Sequence, residues 1–266
     1  MTGTPRHEVT LKKLVYTIPG AEAVTVRRDV PYRTTDAGPL GIDLYYPPGA
    51  TSAPRPAVVF ATGFSDAGGR KMLGCAIKEM ESYIGWARLV AALGMVAIAY
   101  ENRDPAADIH AVLRSVRDNG AALGVDGQRI GLMGFSGNGP VTLSALMDDR
   151  ALKCGVLCCA FTLDLDGATG VAEAQAQWRF VNPCAGRTVD DLPGDLPLFI
   201  ARAGQDQFAG LNDALDRFVA KALARNLPLT VVNHATGPHA FDTADDSETT
   251  REIIRSILGF FRRHLL

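Results

Sequence analysis

The segment Arg129-Ile-Gly-Leu-Met-Gly-Phe-Ser-Gly-Asn-Gly139 places a short apolar run directly before a cluster of small residues. Residues 140–147 then continue with a composition typical of a helix. This order predicts a strand, a sharp turn and a helix, with Ser136 at the turn. Small neighbours give such a turn room between strand and helix, so that the serine hydroxyl stands exposed above the sheet. The segment therefore predicts a nucleophilic serine.

The match to the nucleophile-elbow pattern G-x-S-x-G is incomplete. Gly134 and Ser136 are present, but Asn138 stands at the position of the second glycine. Glycine occupies positions 137 and 139 instead. Asparagine tolerates unusual backbone angles better than most side chains, so we expect the turn to form with Asn138 in place.

Composition and charge narrow the class of protein. The 266 residues are 47% hydrophobic and 21% charged, which is ordinary for a single α/β domain spanning 1–266. With a net charge of -2, the chain lacks the excess of basic residues that would bind nucleic acid or an anionic membrane surface. No apolar run approaches the ~20 residues that span a bilayer, and no signal-peptide pattern begins the sequence. We expect a cytoplasmic protein without nucleic-acid or membrane partners, and a homodimer is left open.

The five cysteines argue against a disulfide framework, because their number is odd and two are adjacent in an apolar run. We expect buried, reduced thiols. No Cys-x-x-Cys or His-Glu-x-x-His spacing occurs, so the sequence predicts no metal site. The cysteines are Cys75, Cys154, Cys158, Cys159 and Cys184.

Alternating segments predict the secondary structure. Residues 24–30 and 40–46 alternate in polarity around a turn at 36–39, which predicts an antiparallel pair whose first strand ends at Pro31. Continuous apolar runs then alternate with helical patterns, as expected of parallel strands covered on both faces. The predicted strands are 57–61, 95–100, the run before Ser136, 154–161, 196–201 and 227–232, and the predicted helices are 75–93, 106–123, 137–147, 208–224 and 243–265.

These units predict an α/β fold with a mostly parallel, doubly wound sheet and an antiparallel N-terminal edge. Residues 62–69 follow the first parallel strand and are expected to form a glycine-rich loop. Residues 162–195 break the alternation after the sixth strand with an acidic, glycine-rich segment and a short helix at 171–180. We interpret them as a small insertion, a candidate cap or lid over the carboxyl ends of the strands, where such sheets bind ligands.

A serine hydroxyl needs a base to remove its proton. His234 and His239 both follow the strand at 227–232, from which a base would reach Ser136. We favour His239, which lies in a turn before the last helix, and expect His234 to be structural or to line the substrate. His110 lies on a predicted helix and is expected to pack or to face solvent.

The base in turn needs an acid that orients it. Asp206 follows the strand at 196–201 and completes the chain order Ser, Asp, His, which is one of the recurrent orders of such triads. The alternative interpretation is that Asp206 only caps the next helix. Glu101, Asp164 and Asp166 follow other strands and remain alternative acids.

The attacked carbonyl becomes an oxyanion, which needs preorganised N–H donors. We expect one donor to be the backbone N–H of Gly137, directly after the nucleophile and at the start of a helix. The loop after the first parallel strand is expected to supply the second, the N–H of Phe64. Gly63, Trp178 and Phe208 are expected to line the substrate pocket.

The chain resembles α/β-hydrolases of the dienelactone-hydrolase-like and carboxylesterase kind in the segments 56–63, 86–95, 124–136, 204–206 and 237–241. The resemblance implies the α/β-hydrolase fold and serine-nucleophile hydrolysis of esters through an acyl-enzyme, without a cofactor. The segment Thr62-Gly63-Phe64 departs from the His-Gly-Gly-Gly of many esterases. Dienelactone hydrolases use a cysteine nucleophile where this chain has Ser136, so their lactone substrate is not implied.

We therefore predict a serine hydrolase that cleaves carboxylic esters of small to medium size. Two other functions fit the same sequence. A non-catalytic relative could keep the fold as a small-molecule binder if Asn138 distorts the turn. The same triad could instead transfer the acyl group to an acceptor other than water, or cleave an amide. The presence of a candidate base and a candidate acid favours an enzyme.

Overall fold

The computed structural model describes residues 5–49 and 53–266, in which one eight-stranded sheet forms the centre. The strands are β1 (Thr25–Thr35), β2 (Gly38–Tyr46), β3 (Arg55–Phe60), β4 (Val96–Tyr100), β5 (Val125–Phe135), β6 (Cys154–Cys158), β7 (Leu198–Gln205) and β8 (Leu229–Pro238). Their order across the sheet is β1-β2-β4-β3-β5-β6-β7-β8. The pairs β1–β2 and β2–β4 are antiparallel, and all other neighbours are parallel. The sheet confirms the predicted architecture.

Helices cover both faces of the sheet. They are α1 (Asp66–Leu73), α2 (Glu81–Ala92), α3 (Pro105–Asp118), α4 (Gly120–Leu123), α5 (Gly139–Asp148), α6 (Gly170–Trp178), α7 (Leu211–Ala224), α8 (Phe241–Ala244) and α9 (Glu248–Leu265). Helices α3, α5 and α7 bury Ile109, Leu143 and Phe218 on one face. Helices α2 and α9 bury Trp86 and Ile254 on the other. The doubly wound arrangement is thus confirmed. None of the helices within 5–49 and 53–266 is long and apolar enough to cross a membrane.

The first strand is longer than the sequence predicts, because β1 continues through Pro31 to Thr35. Its pairing with β2 shifts register between Arg27 and Val30, and again between Pro31 and Arg33. Proline lacks an N–H donor, so within a sheet it is tolerated on an edge strand or at a bulge. Pro31 lies at both, and the prediction that it ends the strand is wrong.

The segment 62–69 is only partly a loop, because α1 begins at Asp66. Its glycine content favoured a loop, since glycine is a poor helix former. Ser65 caps the start of the helix by accepting a hydrogen bond from Gly68 N–H, and Gly74 ends it with φ of 77°. The two caps stabilise a helix that composition alone does not predict.

All five cysteines are free and buried, as the sequence predicts. Burial raises the pKa of Cys154 to about 12 and has the same effect on Cys184. These thiols therefore remain protonated near neutral pH and act as small apolar side chains.

The centre of the sheet offers a test of the fold. Leu132 on β5 is fully buried, whereas Leu223 on α7 is 57% exposed. We expect Leu132→Ala to lower the free energy of unfolding by about 2–5 kcal/mol, because it removes buried methyl groups and leaves a cavity. Leu223→Ala, the matched control, is expected to change it by less than about 0.5 kcal/mol. Urea denaturation measures both, and equal losses would contradict the placement of β5.

Candidate active site

Three loops at the carboxyl edge of the sheet bring the predicted catalytic residues together. Ser136 directly follows β5, Asp206 directly follows β7, and His239 directly follows β8. Strands β5, β6, β7 and β8 are parallel neighbours, so their carboxyl ends lie at one edge. The topology thus places side chains 33 and 103 positions apart within hydrogen-bond distance.

The three side chains form one hydrogen-bonded chain. His239 Nδ1 lies 2.6 Å from Asp206 Oδ2, and His239 Nε2 lies 3.0 Å from Ser136 Oγ. The side chain of Asp206 is fully buried and that of His239 is 12% exposed. A carboxylate only accepts, so Nδ1 carries the proton and Nε2 is left to accept from the serine hydroxyl. This is the geometry in which histidine can act as a general base.

The turn at Ser136 is sharp and fixed. Its φ is 50°, in the left-handed region that residues other than glycine rarely adopt. Ser136 N–H donates to Cys159 O at 3.1 Å, and Ser136 O accepts from Phe161 N–H at 3.0 Å. A Cβ at Gly134 would lie 2.0 Å from Thr142 Oγ1, so the elbow glycine before the serine is sterically required.

Asn138 occupies its place in the elbow without unusual backbone angles, because its φ is -86° and its ψ is -8°. The tolerance of asparagine for positive φ therefore plays no part. The closest approach after the turn occurs at Gly139, where a Cβ would lie 1.9 Å from Phe161 O. Gly139, one position after the second glycine of the elbow pattern, is therefore sterically required because of Phe161 O.

The two expected oxyanion donors lie on two segments of the chain that are in contact. A Cβ at Gly63 would lie 2.3 Å from Gly137 O, so the loop after β3 passes directly against the elbow. Phe64 and Gly137 both line the cavity at Ser136. Within the described part of the chain, neither backbone N–H donates to another residue. Gly137 also lies just before α5, whose helix dipole favours negative charge at this end.

A cavity of about 420 Å³ opens at Ser136 and His239. Trp178 and Phe208 line it, with ring centroids 5.2 Å apart, and the Phe208 ring lies 4.4 Å from the ring of His239. Gly63 is not among the lining residues, because it is covered by the elbow. The other aromatic lining residues are Phe64, Tyr83, Trp86, Phe135, Phe161 and Phe180. The wall is therefore mainly apolar, and Ser136 and His239 are among its few polar groups.

One wall of the cavity is formed by residues that no sequence pattern identifies. His7 and Val9 line it, together with Met72 and Leu73 at the end of α1. His7 N–H donates to Leu73 O at 2.9 Å, so the N-terminal segment and α1 pack as one wall. Residues 5–20 show no regular periodicity, and only the folded chain reveals that they reach the site.

Asp242 is a second buried carboxyl at the cavity, which the sequence analysis missed. Burial raises its pKa, whereas a hydrogen bond from Trp86 Nε1 at 2.8 Å and the nearby His239 act in the opposite direction. Asp242 O also accepts from Val15 N–H at 3.0 Å. The residue therefore ties the loop that carries His239 to α2 and to the N-terminal segment.

The alternative acids and bases have other partners. His234 is buried with Nε2 2.7 Å from Asp245 Oδ2, and it does not line the cavity. Asp164 accepts hydrogen bonds from Val171 and Ala172 N–H at the start of α6. The remaining alternatives are likewise paired, namely Glu101 with Gly41 N–H, Asp166 with Lys221, and His110 with Asp148. Within 5–49 and 53–266, no three His, Cys, Asp or Glu side chains are grouped to hold a metal ion.

Solved structures of esterases match the chain over nearly its whole length. An esterase from Thermogutta terrifontis with propionate bound is 20% identical, with a TM-score of 0.67 over 92% of this chain and 96% of its own. A bacterial heroin esterase is 15% identical, with a TM-score of 0.70 over 95% and 87%. An esterase from the archaeon Pyrobaculum calidifontis is 21% identical, with a TM-score of 0.66 over 90% and 85%. The chain has the α/β-hydrolase fold.

At these identities the likeness concerns the α/β-hydrolase fold rather than the activity. No protein-family model matches the chain, and no curated protein matches its sequence. The T. terrifontis enzyme also matches in a form phosphorylated by paraoxon, at 18% identity and a TM-score of 0.63 over 92% of this chain and 94% of its own.

The start of α1, beside the loop with Phe64, has a titratable group. Burial raises the pKa of Asp66 to about 6, although a hydrogen bond from Asn102 N–H opposes the shift. Between about pH 4 and 6, the folded chain therefore keeps a proton that the unfolded chain has released. The free energy of unfolding consequently falls as pH rises through this window. We expect Asp66→Asn to gain stability relative to wild type between pH 4.5 and pH 7.5. Urea unfolding at both values measures this, and a constant difference would contradict it.

Proposed function

We propose that the protein is a serine hydrolase that cleaves carboxylic esters of small to medium size through an acyl-enzyme. The observation that carries the proposal is the hydrogen-bonded chain Ser136–His239–Asp206, with distances of 3.0 Å and 2.6 Å. The structures of esterases that share its fold support the same reaction class. The resemblance to dienelactone hydrolases does not extend to their lactone substrate, because those enzymes use a cysteine nucleophile and this chain has Ser136.

In the first half of the reaction, Ser136 Oγ attacks the ester carbonyl while His239 Nε2 takes its proton. Asp206 holds the imidazole in the productive tautomer and stabilises the imidazolium that forms. Collapse of the tetrahedral intermediate breaks the ester bond, and His239 returns the proton to the leaving alcohol. Water then attacks the acyl-enzyme with His239 as the base, which releases the acid and restores Ser136.

The intermediate places a negative charge on the former carbonyl oxygen. We assign its stabilisation to the backbone N–H groups of Phe64 and Gly137, two residues that line the cavity and whose N–H groups have no other acceptor in the described chain. Neither donor needs to break an existing hydrogen bond when the charge develops. The reorganisation cost of the step is therefore small.

The shape and lining of the cavity bear on the substrate. A volume of about 420 Å³ and largely aromatic walls suit an apolar acyl group of limited size. The segment 162–195 contributes Trp178 and Phe180 to the wall. We include in the proposal that this segment serves as a small cap over the site.

Covalent labelling tests the nucleophile. We expect paraoxon or a fluorophosphonate to modify the wild-type protein once, at Ser136, as measured by intact mass and peptide mapping. Ser136→Ala is expected to abolish labelling and p-nitrophenyl ester hydrolysis, and His239→Ala to lower kcat by about 10⁴-fold or more. Ser144→Ala removes a serine of α5 that contacts Asp148 instead of the cavity, so it should leave both readouts unchanged. Absence of labelling in folded wild type would favour a binding protein.

A substitution at the cavity wall tests the assigned substrate pocket. Trp178 contacts Phe208, which lies against His239. We expect Trp178→Ala to lower kcat/KM for p-nitrophenyl hexanoate by about 5- to 10-fold, because an aromatic contact with the acyl chain is lost. The value for the acetate ester should change less than about 2-fold. An equal effect on both esters would place Trp178 outside the acyl pocket.

A further inference from the structure

Asn138 departs from the elbow pattern, and its side chain makes two contacts that a glycine could not make. The residue is only 4% exposed. Its Oδ1 accepts a hydrogen bond from Gly63 N–H at 2.6 Å. Its Nδ2 donates to the hydroxyl oxygen of Tyr83. Asn138 therefore connects three parts of the chain, namely the elbow, the loop after β3, and α2.

The contact with Gly63 acts on the loop that carries the assigned oxyanion donor. Gly63 N–H is held by Asn138, and Gly63 O accepts from Val181 N–H at 2.7 Å. The carbonyl of Gly63 and the N–H of Phe64 belong to one planar peptide group. Hydrogen bonds on both sides of Gly63 thus fix the direction in which Phe64 N–H points.

The other end of the contact is equally well anchored. Tyr83 lies on α2 and is 7% exposed, with its ring packed against Phe60 and Phe135. Gly63 N–H can only donate, so the amide presents its Oδ1 to Gly63, and its Nδ2 then donates to the hydroxyl of Tyr83. The buried hydroxyl of Tyr83 thus holds the other end of the amide in place.

From this geometry we infer that Asn138 is a positioning residue for the oxyanion hole. It holds Gly63 against the elbow, so that Phe64 N–H is aimed at the developing oxyanion before the substrate binds. Preorganised donors of this kind lower the barrier because they need no rearrangement when charge develops. The inference rests on the proposed function and extends it to a residue that touches neither the nucleophile nor the base by a hydrogen bond.

Ester kinetics and a transition-state analogue test the inference. A trifluoromethyl ketone forms a bond from its carbonyl carbon to Ser136 Oγ, the serine proton moves to His239, and the former carbonyl oxygen becomes an anion. Its Ki therefore reports on the oxyanion hole, whereas KM reports mainly on ground-state binding. We expect Asn138→Ala and Asn138→Gly to lower kcat by about 10- to 100-fold and to raise Ki by a similar factor, with KM within about 2-fold.

Two further variants separate positioning from folding. Tyr83→Phe keeps the buried ring and removes only the hydroxyl, so a smaller loss of kcat with a parallel rise in Ki is expected in a variant that remains folded. Asn119→Ala is the matched control, because the side chain of Asn119 lies at the end of α3 and, among the described residues, bonds only the backbone oxygen and the Oγ of Ser115. It should leave kcat, KM and Ki unchanged.

The outcomes are distinguishable. Wild-type kcat and Ki in the folded Asn138 variants would overturn the inference while leaving the ester hydrolase in place. A change in KM alone would do the same, since it would indicate ground-state contact with the substrate. If the Asn138 variants do not fold, Tyr83→Phe decides, and wild-type Ki in that variant overturns the inference. Failure of wild type to react with a fluorophosphonate would instead remove the proposed function itself.

Discussion

The left-handed turn at Ser136 is the constraint on which the rest of the site depends. A residue with a side chain adopts φ of 50° only when its surroundings compensate for the strain. Hydrogen bonds to Cys159 and Phe161 fix the peptide groups on either side, and Gly134 admits the close approach of Thr142. Strand β5, the segment directly after β6 and helix α5 therefore compensate together for the strain of the turn. A hydroxyl held in this way needs no rearrangement to meet its base.

The parallel sheet turns this local constraint into the geometry of the proposed triad. Asp206 and His239 come from loops far along the chain, but each follows a strand that ends at the same edge as β5. The acid is buried and the base nearly so, which strengthens their interaction and limits competition from water. Large apolar cores on both faces of the sheet keep these strand ends in register. Rigidity at the edge is thus a product of packing across the whole fold.

The sequence predicts the mostly parallel sheet and the elbow, and it singles out Ser136, Asp206 and His239, because each leaves a local signal, such as an apolar run that ends in a polar residue. The contributions of His7 and Asp242 leave none, since each reaches the cavity only through contacts between distant segments. The glycines of α1 favour a loop, so the sequence does not predict this helix. Pro31 is predicted to end its strand because the sequence alone does not show that it lies at a bulge on an edge strand. The pattern likewise indicates only the backbone tolerance of Asn138, whereas the contacts of its amide with Gly63 and Tyr83 appear only in the folded chain.

The aromatic lining of the cavity also has a spectroscopic consequence. The chain contains two tryptophans, Trp86 and Trp178, and both lie in the cavity wall. Trp86 is buried beside the carboxyl of Asp242, whereas Trp178 is 38% exposed against Phe208. All intrinsic indole emission of this protein therefore originates at the site itself. A ligand in the cavity changes the polarity around both indole rings, so the tryptophan fluorescence of the unlabelled protein reports ligand binding.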